Sequence, residues 1–356
     1  MSTSMTRQDL QDLEPYAIAK VPADVIKLDA MELPYAWPEE LRDQWNKRLQ
    51  TVTLANYPNK YSHPIQEAIR QVCQVPIAAS LSLGNGSDEL LQQLSLLVAK
   101  PGVKVMGLEP TFSIYRRNAK IYGLNYLSVD SDEEFQIDFN EVYAKAKAEH
   151  VRLIWLAYPN NPTGIRFDHQ AIRRLLELDC LLVIDEAYQL FATDTFLPLT
   201  GSVKNLIVLR TFSKVGFAGI RLGFAAGHPQ VMNTLEAIMP PYNINALSLE
   251  TGFFLLENWS WVQEQSTRIK YDREIMLAQL EEIDWLEVFP SEGNFLLLRV
   301  PNANALFKTL YQHKILVKNL HKTHHLLNNC LRITVSTSEI NQRVIDVIRS
   351  CGGFLA

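Results

Sequence analysis

Between residues 103 and 209, short apolar runs alternate with amphipathic stretches, and that alternation restricts the chain to few folds. Residues 103–106, 124–129, 153–157, 181–184 and 206–209 read as strands, and 112–122 and 167–178 carry apolar residues at helical spacing. Such a pattern predicts an α/β fold with a mostly parallel, doubly wound sheet. Upstream, Gly84-Asn85-Gly86 leads into a helical run in which Ser87 or Asp88 suits the cap, and Pro101-Gly102 stops it. Downstream, 260–283 reads as one long amphipathic helix bridging to a smaller α/β domain. There, strands at 295–300 and 331–335 alternate with helices at 303–313 and 338–350. The expected organisation is an N-terminal arm and small-domain segment at 1–50, a large domain at 51–258, a linking helix at 259–285 and a small domain at 286–356. The arm holds Pro15, Pro22, Pro34 and Pro38 and leads into a short helix at 39–49.

Bulk properties narrow the function. With 356 residues the chain is long enough for about two domains. A net charge of −5 and the lack of a basic stripe with interleaved aromatics argue against nucleic acid as a partner. Apolar runs are only a few residues long, so no membrane span is expected, and the first nine residues lack an apolar leader core. A cytoplasmic location follows as the expectation. Cys73, Cys180, Cys330 and Cys351 form no C-x-x-C pair and read as reduced, mostly buried thiols. His321, His324 and His325 cluster with Lys322 among them and with no acidic neighbour in sequence; they read as a solvated loop, and no metal is expected.

The residues that carry chemistry share one placement. Asn160-Asn161-Pro162-Thr163-Gly164 follows the strand at 153–157, Asp185 ends the strand at 181–184, and Ser213-Lys214 follows the strand at 206–209. Open α/β sheets bind ligands outside the carboxyl ends of their strands, so three separate segments converge on one edge of one sheet. Taken singly, each has an ordinary reading: a surface lysine, a strand-end ion pair, a good turn. Together they offer an amine able to form a Schiff base, a carboxylate and a set of polar donors.

These segments resemble the class I/II aminotransferases of pyridoxal-phosphate fold type I, and within them the histidinol-phosphate aminotransferase branch. The resemblance rests on Leu28-Asp29-Ala30-Met31-Glu32-Leu33-Pro34-Tyr35, Asn56-Tyr57-Pro58, Gly84-Asn85-Gly86-Ser87-Asp88-Glu89, Glu109-Pro110-Thr111-Phe112, Tyr158-Pro159-Asn160-Asn161-Pro162-Thr163-Gly164, Asp185-Glu186-Ala187-Tyr188, Ser213-Lys214, Pro241-Tyr242-Asn243, Ser291-Glu292-Gly293-Asn294-Phe295 and Cys330-Leu331-Arg332. They run in family order over about residues 26 to 350.

The resemblance implies pyridoxal 5′-phosphate as cofactor and assigns roles. Lys214 would hold the cofactor as a Schiff base and shuttle the substrate proton. Asp185 would face the pyridine nitrogen and keep it protonated. Tyr188 and Asn161 would hydrogen-bond the cofactor phenol, and Phe112 would stack on its ring. Gly86, Ser87 and Asp88 at a helix start, with Ser213 and Arg221, would hold its phosphate. Tyr57 would reach that phosphate from a second copy of the chain, which implies a homodimer with shared active sites. Arg332 would grip the substrate anion, with Lys318, Tyr35, Tyr242 and Asn294 also around the substrate. Implied partners are a small-molecule amino donor and a 2-oxo acid.

Several positions depart from the family. Leu33 stands where Asn is frequent, Asn56 and Lys318 stand where Arg is frequent, and Arg221 lies seven residues beyond the lysine. These departures fall around the amino donor. The reaction implied is amino transfer between L-histidinol phosphate and 2-oxoglutarate. Other readings that the residues leave open are an aminotransferase for aromatic or other amino acids, a decarboxylase of a phosphorylated amino acid, and a cofactor-binding regulator that has lost catalysis.

Overall fold

A computed structural model describes residues 5–15 and 20–352. Parts of the expected arm (1–4 and 16–19) and the last four residues, 353–356, lie outside the described residues. Twelve strands occur among the described residues, numbered in chain order: β1 Ile26–Leu28, β2 Ser80–Asn85, β3 Lys104–Glu109, β4 Asn125–Asp130, β5 Leu153–Ala157, β6 Leu181–Asp185, β7 Leu206–Thr211, β8 Leu222–Gly227, β9 Glu287–Phe289, β10 Phe295–Arg299, β11 Ile315–Asn319 and β12 Cys330–Thr334.

Seven of them form one sheet in the order β2-β8-β7-β6-β5-β3-β4. Strands β3 to β7 pair in parallel, while β8 runs antiparallel to both its neighbours. Every residue of β5 is buried. Ile154 and Leu156 pack into one hydrophobic cluster, and Leu153, Trp155 and Ala157 into another. This is what a parallel strand covered on both faces demands, and it is why the strand reads as a continuous apolar run rather than an alternating one.

A second sheet has the order β1-β11-β12-β10-β9. β1 joins it in parallel with β11, pairing Ile26 with Ile315 and Leu28 with Val317. The helices Ala303–Gln312 and Ser338–Ser350 and the 23-residue helix Trp259–Glu281 accompany this sheet. Leu306, Leu310, Val344, Ile345, Ile348, Met276 and Leu280 from these helices share one core cluster with the strands. Asn302 and Thr337 cap the two shorter helices by accepting backbone N–H groups from Ala305 and Ile340.

The structure changes several sequence-based expectations. The helix expected at 112–122 begins at Ile114 and ends at Tyr122, with Gly123 as its C-cap at a φ of 67° that suits glycine. The one expected at 167–178 is a helix His169–Arg174, capped by Asp168, followed by a 3-10 turn Leu175–Glu177. The cap expected at Ser87 or Asp88 belongs to Asn85. The helix already starts at Gly86, and Glu89 rather than a capping side chain takes the Asn85 backbone N–H, at 2.7 Å. Elements absent from the expectation include β1, β2, β8 and the helix Ala246–Glu257. That helix is apolar nearly all round, so it offers no helical stripe, and β8 (Leu-Gly-Phe-Ala-Ala-Gly) is poor in β-branched residues.

Near the carboxyl ends of β6 and β7 lies a buried ion pair. The Glu186 side chain is fully buried, and Arg210 meets it at 2.9 Å. Glu186 also accepts from Thr195 Oγ1 and from the Phe196 backbone N–H. Replacing Glu186 by Ala strands the guanidinium and those donors. We expect the Glu186→Ala variant to lose about 3–5 kcal/mol of stability, read as a lower urea midpoint.

Candidate functional site

The parallel register sets the site. Ala157, Asp185 and Leu209 are neighbours across β5, β6 and β7, and the backbone N–H of Tyr158 and of Glu186 continue the ladder to Asp185 O and Leu209 O. The turn after β5 and the lysine loop after β7 therefore flank the Asp185 carboxylate. They open into a cavity of about 500 Å³. Its lining includes Ser87, Asp88, Phe112, Asn161, Asp185, Tyr188, Ser213, Lys214 and Arg221 from the large-sheet side, and Lys318 and Arg332 from the second sheet.

Asp185 is buried, with its Oδ2 accepting from the Tyr115 hydroxyl at 2.9 Å and its Oδ1 from the Ala187 N–H at 3.2 Å. Burial pushes its pKa up to about 6, against the opposing pull of those two hydrogen bonds. The Lys214 amine donates to Ala30 O at 3.0 Å. Loss of water, and then the nearby Arg332 charge, lower its pKa to about 8. A lysine so placed spends much more time as the free amine than a solvated one does, which is what a nucleophile for carbonyl groups needs.

Tyr188 and Asn161 are joined, Asn161 Nδ2 donating to the Tyr188 hydroxyl at 3.2 Å. Arg332 donates to Asn161 Oδ1 and to Asp29 O, the latter at 2.9 Å, and its guanidinium lies over the Phe295 ring at 5.4 Å. Lys318 pairs directly with Arg332 across β11 and β12, so two cations stand side by side on the cavity wall. Leu33, one of the departures from the family pattern, packs near Gly216 in the loop after Lys214.

An anion cradle occupies the other end. The helix Gly86–Val98 presents its N-terminal turn, with Ser87 and Asp88 in it. Arg221 reaches Asp88 Oδ2 at 3.0 Å and Ser213 Oγ at 3.4 Å. A Cβ on Gly86 would lie 2.7 Å from the Arg221 guanidinium, so only glycine leaves this space open. Backbone N–H groups at a helix start, two hydroxyls and a guanidinium fit a phosphate monoester. The buried carboxylate, the depressed lysine and this cradle together match a cofactor with a ring nitrogen, an aldehyde and a phosphate.

Four of the expected site residues lie elsewhere. Tyr57 is 80% exposed and stacks on Tyr242, ring centres 4.8 Å apart, away from the cavity lining. Tyr35 bonds Asp272 at 3.4 Å, and Asn294 Nδ2 donates to Met31 O at 3.0 Å; both brace the arm rather than line the cavity. Conversely, the cavity is lined by Tyr115, Asn118, Arg117, Gln92 and Lys27, which sequence reasoning passed over. Tyr115 and Asn118 sit three residues apart on one helix face after Phe112, a spacing that could have pointed to them. The histidine loop also differs from expectation. Asp130, at the end of β4, comes to 3.7 Å from His324 and 3.8 Å from His325, an acidic neighbour that sequence distance concealed. The Leu326 N–H occupies His324 Nδ1 at 3.3 Å, so in neutral His324 the Nε2 facing Asp130 carries the proton instead of a free lone pair.

The chain is similar to known proteins over nearly its whole length. A histidinol-phosphate aminotransferase of Neisseria meningitidis is 44% identical over 350 residues, covering 97% of this chain and 96% of that one. One from Chromobacterium violaceum is 38% identical over 97% of both. Among solved structures, a histidinol-phosphate aminotransferase from Sinorhizobium meliloti in complex with pyridoxal-5′-phosphate matches with a TM-score of 0.85 at 22% identity, covering 98% of each chain. An L-threonine-O-3-phosphate decarboxylase from Porphyromonas gingivalis shares the fold with a TM-score of 0.78 at 22% identity, over 92% of this chain and 99% of that one. The sequence profile of aminotransferase class I and II matches residues 23–348, and the chain belongs to that family.

Proposed function

We propose that this protein is a pyridoxal-phosphate-dependent aminotransferase that moves the amino group of L-histidinol phosphate to 2-oxoglutarate, giving imidazole acetol phosphate and L-glutamate, a step of histidine biosynthesis. The observation that carries the reading is one cavity holding a buried carboxylate, a lysine of depressed pKa, a phosphate cradle and two adjacent cations. The 44% identity to histidinol-phosphate aminotransferases supports the substrate.

Pyridoxal phosphate, when bound, supplies an electron sink for the electrons left at the substrate carbon when its proton departs. The residues do the rest. The Lys214 amine would take the proton from the substrate carbon and give it up at the cofactor's aldehyde carbon. Asp185 would keep a proton at the ring nitrogen, and Tyr188 with Asn161 would hold the phenolic oxygen. The backbone N–H groups of Gly86, Ser87 and Asp88, with Ser213 and Arg221, would orient the phosphate end. Arg332 meets whichever anion the substrate brings: the α-carboxylate of glutamate, or the phosphate of histidinol phosphate. Its fork suits both, and Lys318 beside it adds a point charge suited to the dianion. Tyr57, exposed on the surface, is available to the cradle of a second copy, which supports a homodimer with shared sites. A cytoplasmic location suits this reading, and Cys73, Cys180, Cys330 and Cys351 are all free thiols.

With 2-oxoglutarate as acceptor, a panel of histidinol phosphate, phenylalanine, tyrosine and aspartate should show a strong preference for histidinol phosphate. A preference for an aromatic amino acid, or carbon dioxide released with no keto product, would overturn the assignment. Lys214→Ala should lose the visible absorbance of the lysine-bound cofactor and about 100-fold to 10,000-fold or more of turnover. Because Lys214 titrates at about 8, capture of pyridoxal phosphate by the apoprotein should quicken as pH rises through 8 and level off above it. Stopped-flow absorbance, set against a solvated lysine peptide, reads that midpoint. Mixing Lys214→Ala with Tyr57→Ala should restore activity that neither variant has alone, because one site of each mixed dimer is intact; no restoration would argue against shared sites.

A further inference from the structure

The Asp185 carboxylate does not stand alone. Tyr115, fully buried on the helix Ile114–Tyr122, stacks its ring on Trp155 of β5, with centres 5.5 Å apart and planes 9° from parallel. Phe112 closes on the same ring edge-on at 5.7 Å. So clamped, the phenol aims its hydroxyl at Asp185 Oδ2, 2.9 Å away. Burial, and then the Asp185 charge, drive the Tyr115 pKa well above the ordinary tyrosine value, so the phenol keeps its proton and acts as a donor. Tyr126 is not a substitute, because its own hydroxyl is engaged by Glu109 at 2.8 Å.

The role of this hydroxyl rests on the reading of the cavity as a pyridoxal-phosphate site. There, a single proton has two possible positions, the ring nitrogen and the Asp185 carboxylate. Burial works against the charged pair and favours the neutral one, with the proton on the acid. Electron withdrawal by the ring needs the opposite arrangement. A charge-assisted O–H···O⁻ bond is roughly twice as strong as a neutral one, so a hydroxyl fixed on Oδ2 favours the carboxylate form. The Ala187 N–H on Oδ1 and the Lys214 charge push the same way, while Asp88 pushes against it.

We propose that Tyr115 is a positioning residue for the reaction: its clamped hydroxyl, by hydrogen-bonding Asp185 Oδ2, keeps the carboxylate ionised and so keeps the shared proton on the cofactor's ring nitrogen. No bond to carbon forms or breaks in this step, and no electrons are exchanged; one proton is held at nitrogen instead of oxygen.

The test uses the holoenzyme loaded with pyridoxal phosphate labelled with ¹⁵N in the ring. Wild type should give the ¹⁵N chemical shift of a protonated ring nitrogen. Tyr115→Phe, which retains the ring stack, should move that shift toward the unprotonated value. Its kcat should fall about 10-fold to 100-fold with KM nearly unchanged, the size expected for losing one hydrogen bond to a charged group. Replacing Tyr115 by a fluorinated tyrosine, a stronger donor of nearly the same shape, tests the same point without removing any atom that packs. It should hold the shift at the protonated value that Tyr115→Phe loses. A Tyr115→Phe enzyme with the wild-type shift and kcat, or a fluorotyrosine enzyme whose shift moves toward the unprotonated value, would overturn the proposal. A wild type that binds pyridoxal phosphate and transfers amino groups while either of those results holds overturns this proposal alone. A wild type that binds no pyridoxal phosphate overturns this proposal and the functional reading together.

Discussion

Taking a carboxylate out of water costs several kcal/mol unless other groups replace the lost solvation. Asp185 is such a group, and much of the site follows from how its charge is supported. It ends β6, the strand between β5 and β7, so neighbouring strand ends surround it. A helix brings Tyr115 to one oxygen, and the turn after the strand brings the Ala187 N–H to the other. Lys214 lines the same cavity and acts on Asp185 as a nearby charge that favours the carboxylate. The support is enough to leave the acid at about 6 and the amine at about 8, both far from their values in water. Perturbed groups of this kind, gathered in one cleft, mark a candidate functional site.

What the sequence discloses and what it hides divide along a physical line. Asp185, Asn161 and Lys214 were legible because each follows a short apolar run, and a parallel sheet places the residues after such runs at one edge. The long helix Trp259–Glu281 was legible from its helical spacing, and β10 and β12 of the second sheet from the short apolar runs that follow it. Tyr115 was not legible as a partner of Asp185, because nothing local says which strand a helix will cover. Asp130 beside His324 and His325 was hidden for the same reason. Tyr35 and Asn294 were expected near substrate from resemblance, yet in this chain their polar groups tie the arm to its neighbours. A motif records which residues recur, and only packing tells whether a residue touches ligand or holds what does.

The arm shows how widely the site is distributed. β1 enters the second sheet beside β11, and the segment that follows it supplies carbonyls to two cationic residues of the cavity: Ala30 to Lys214 and Asp29 to Arg332. Lysine from the lysine loop and arginine from β12 are thus held by consecutive residues of a third element. The departure at Leu33 lies close by, against the loop that follows Lys214. Changes in this segment act on the surroundings of Lys214 and Arg332 without touching the Asp185 carboxylate or the Arg221 cradle.

The cross-strand pairing of Lys318 with Arg332 has a thermodynamic consequence. Like charges placed opposite one another on a sheet oppose folding. Here the two form a cationic stretch of the cavity wall, which suits an anion. An anion seated between them removes the repulsion, and its binding energy is added to the folded state alone. Heat resistance should therefore rise with the concentration of an anion that fits between Lys318 and Arg332.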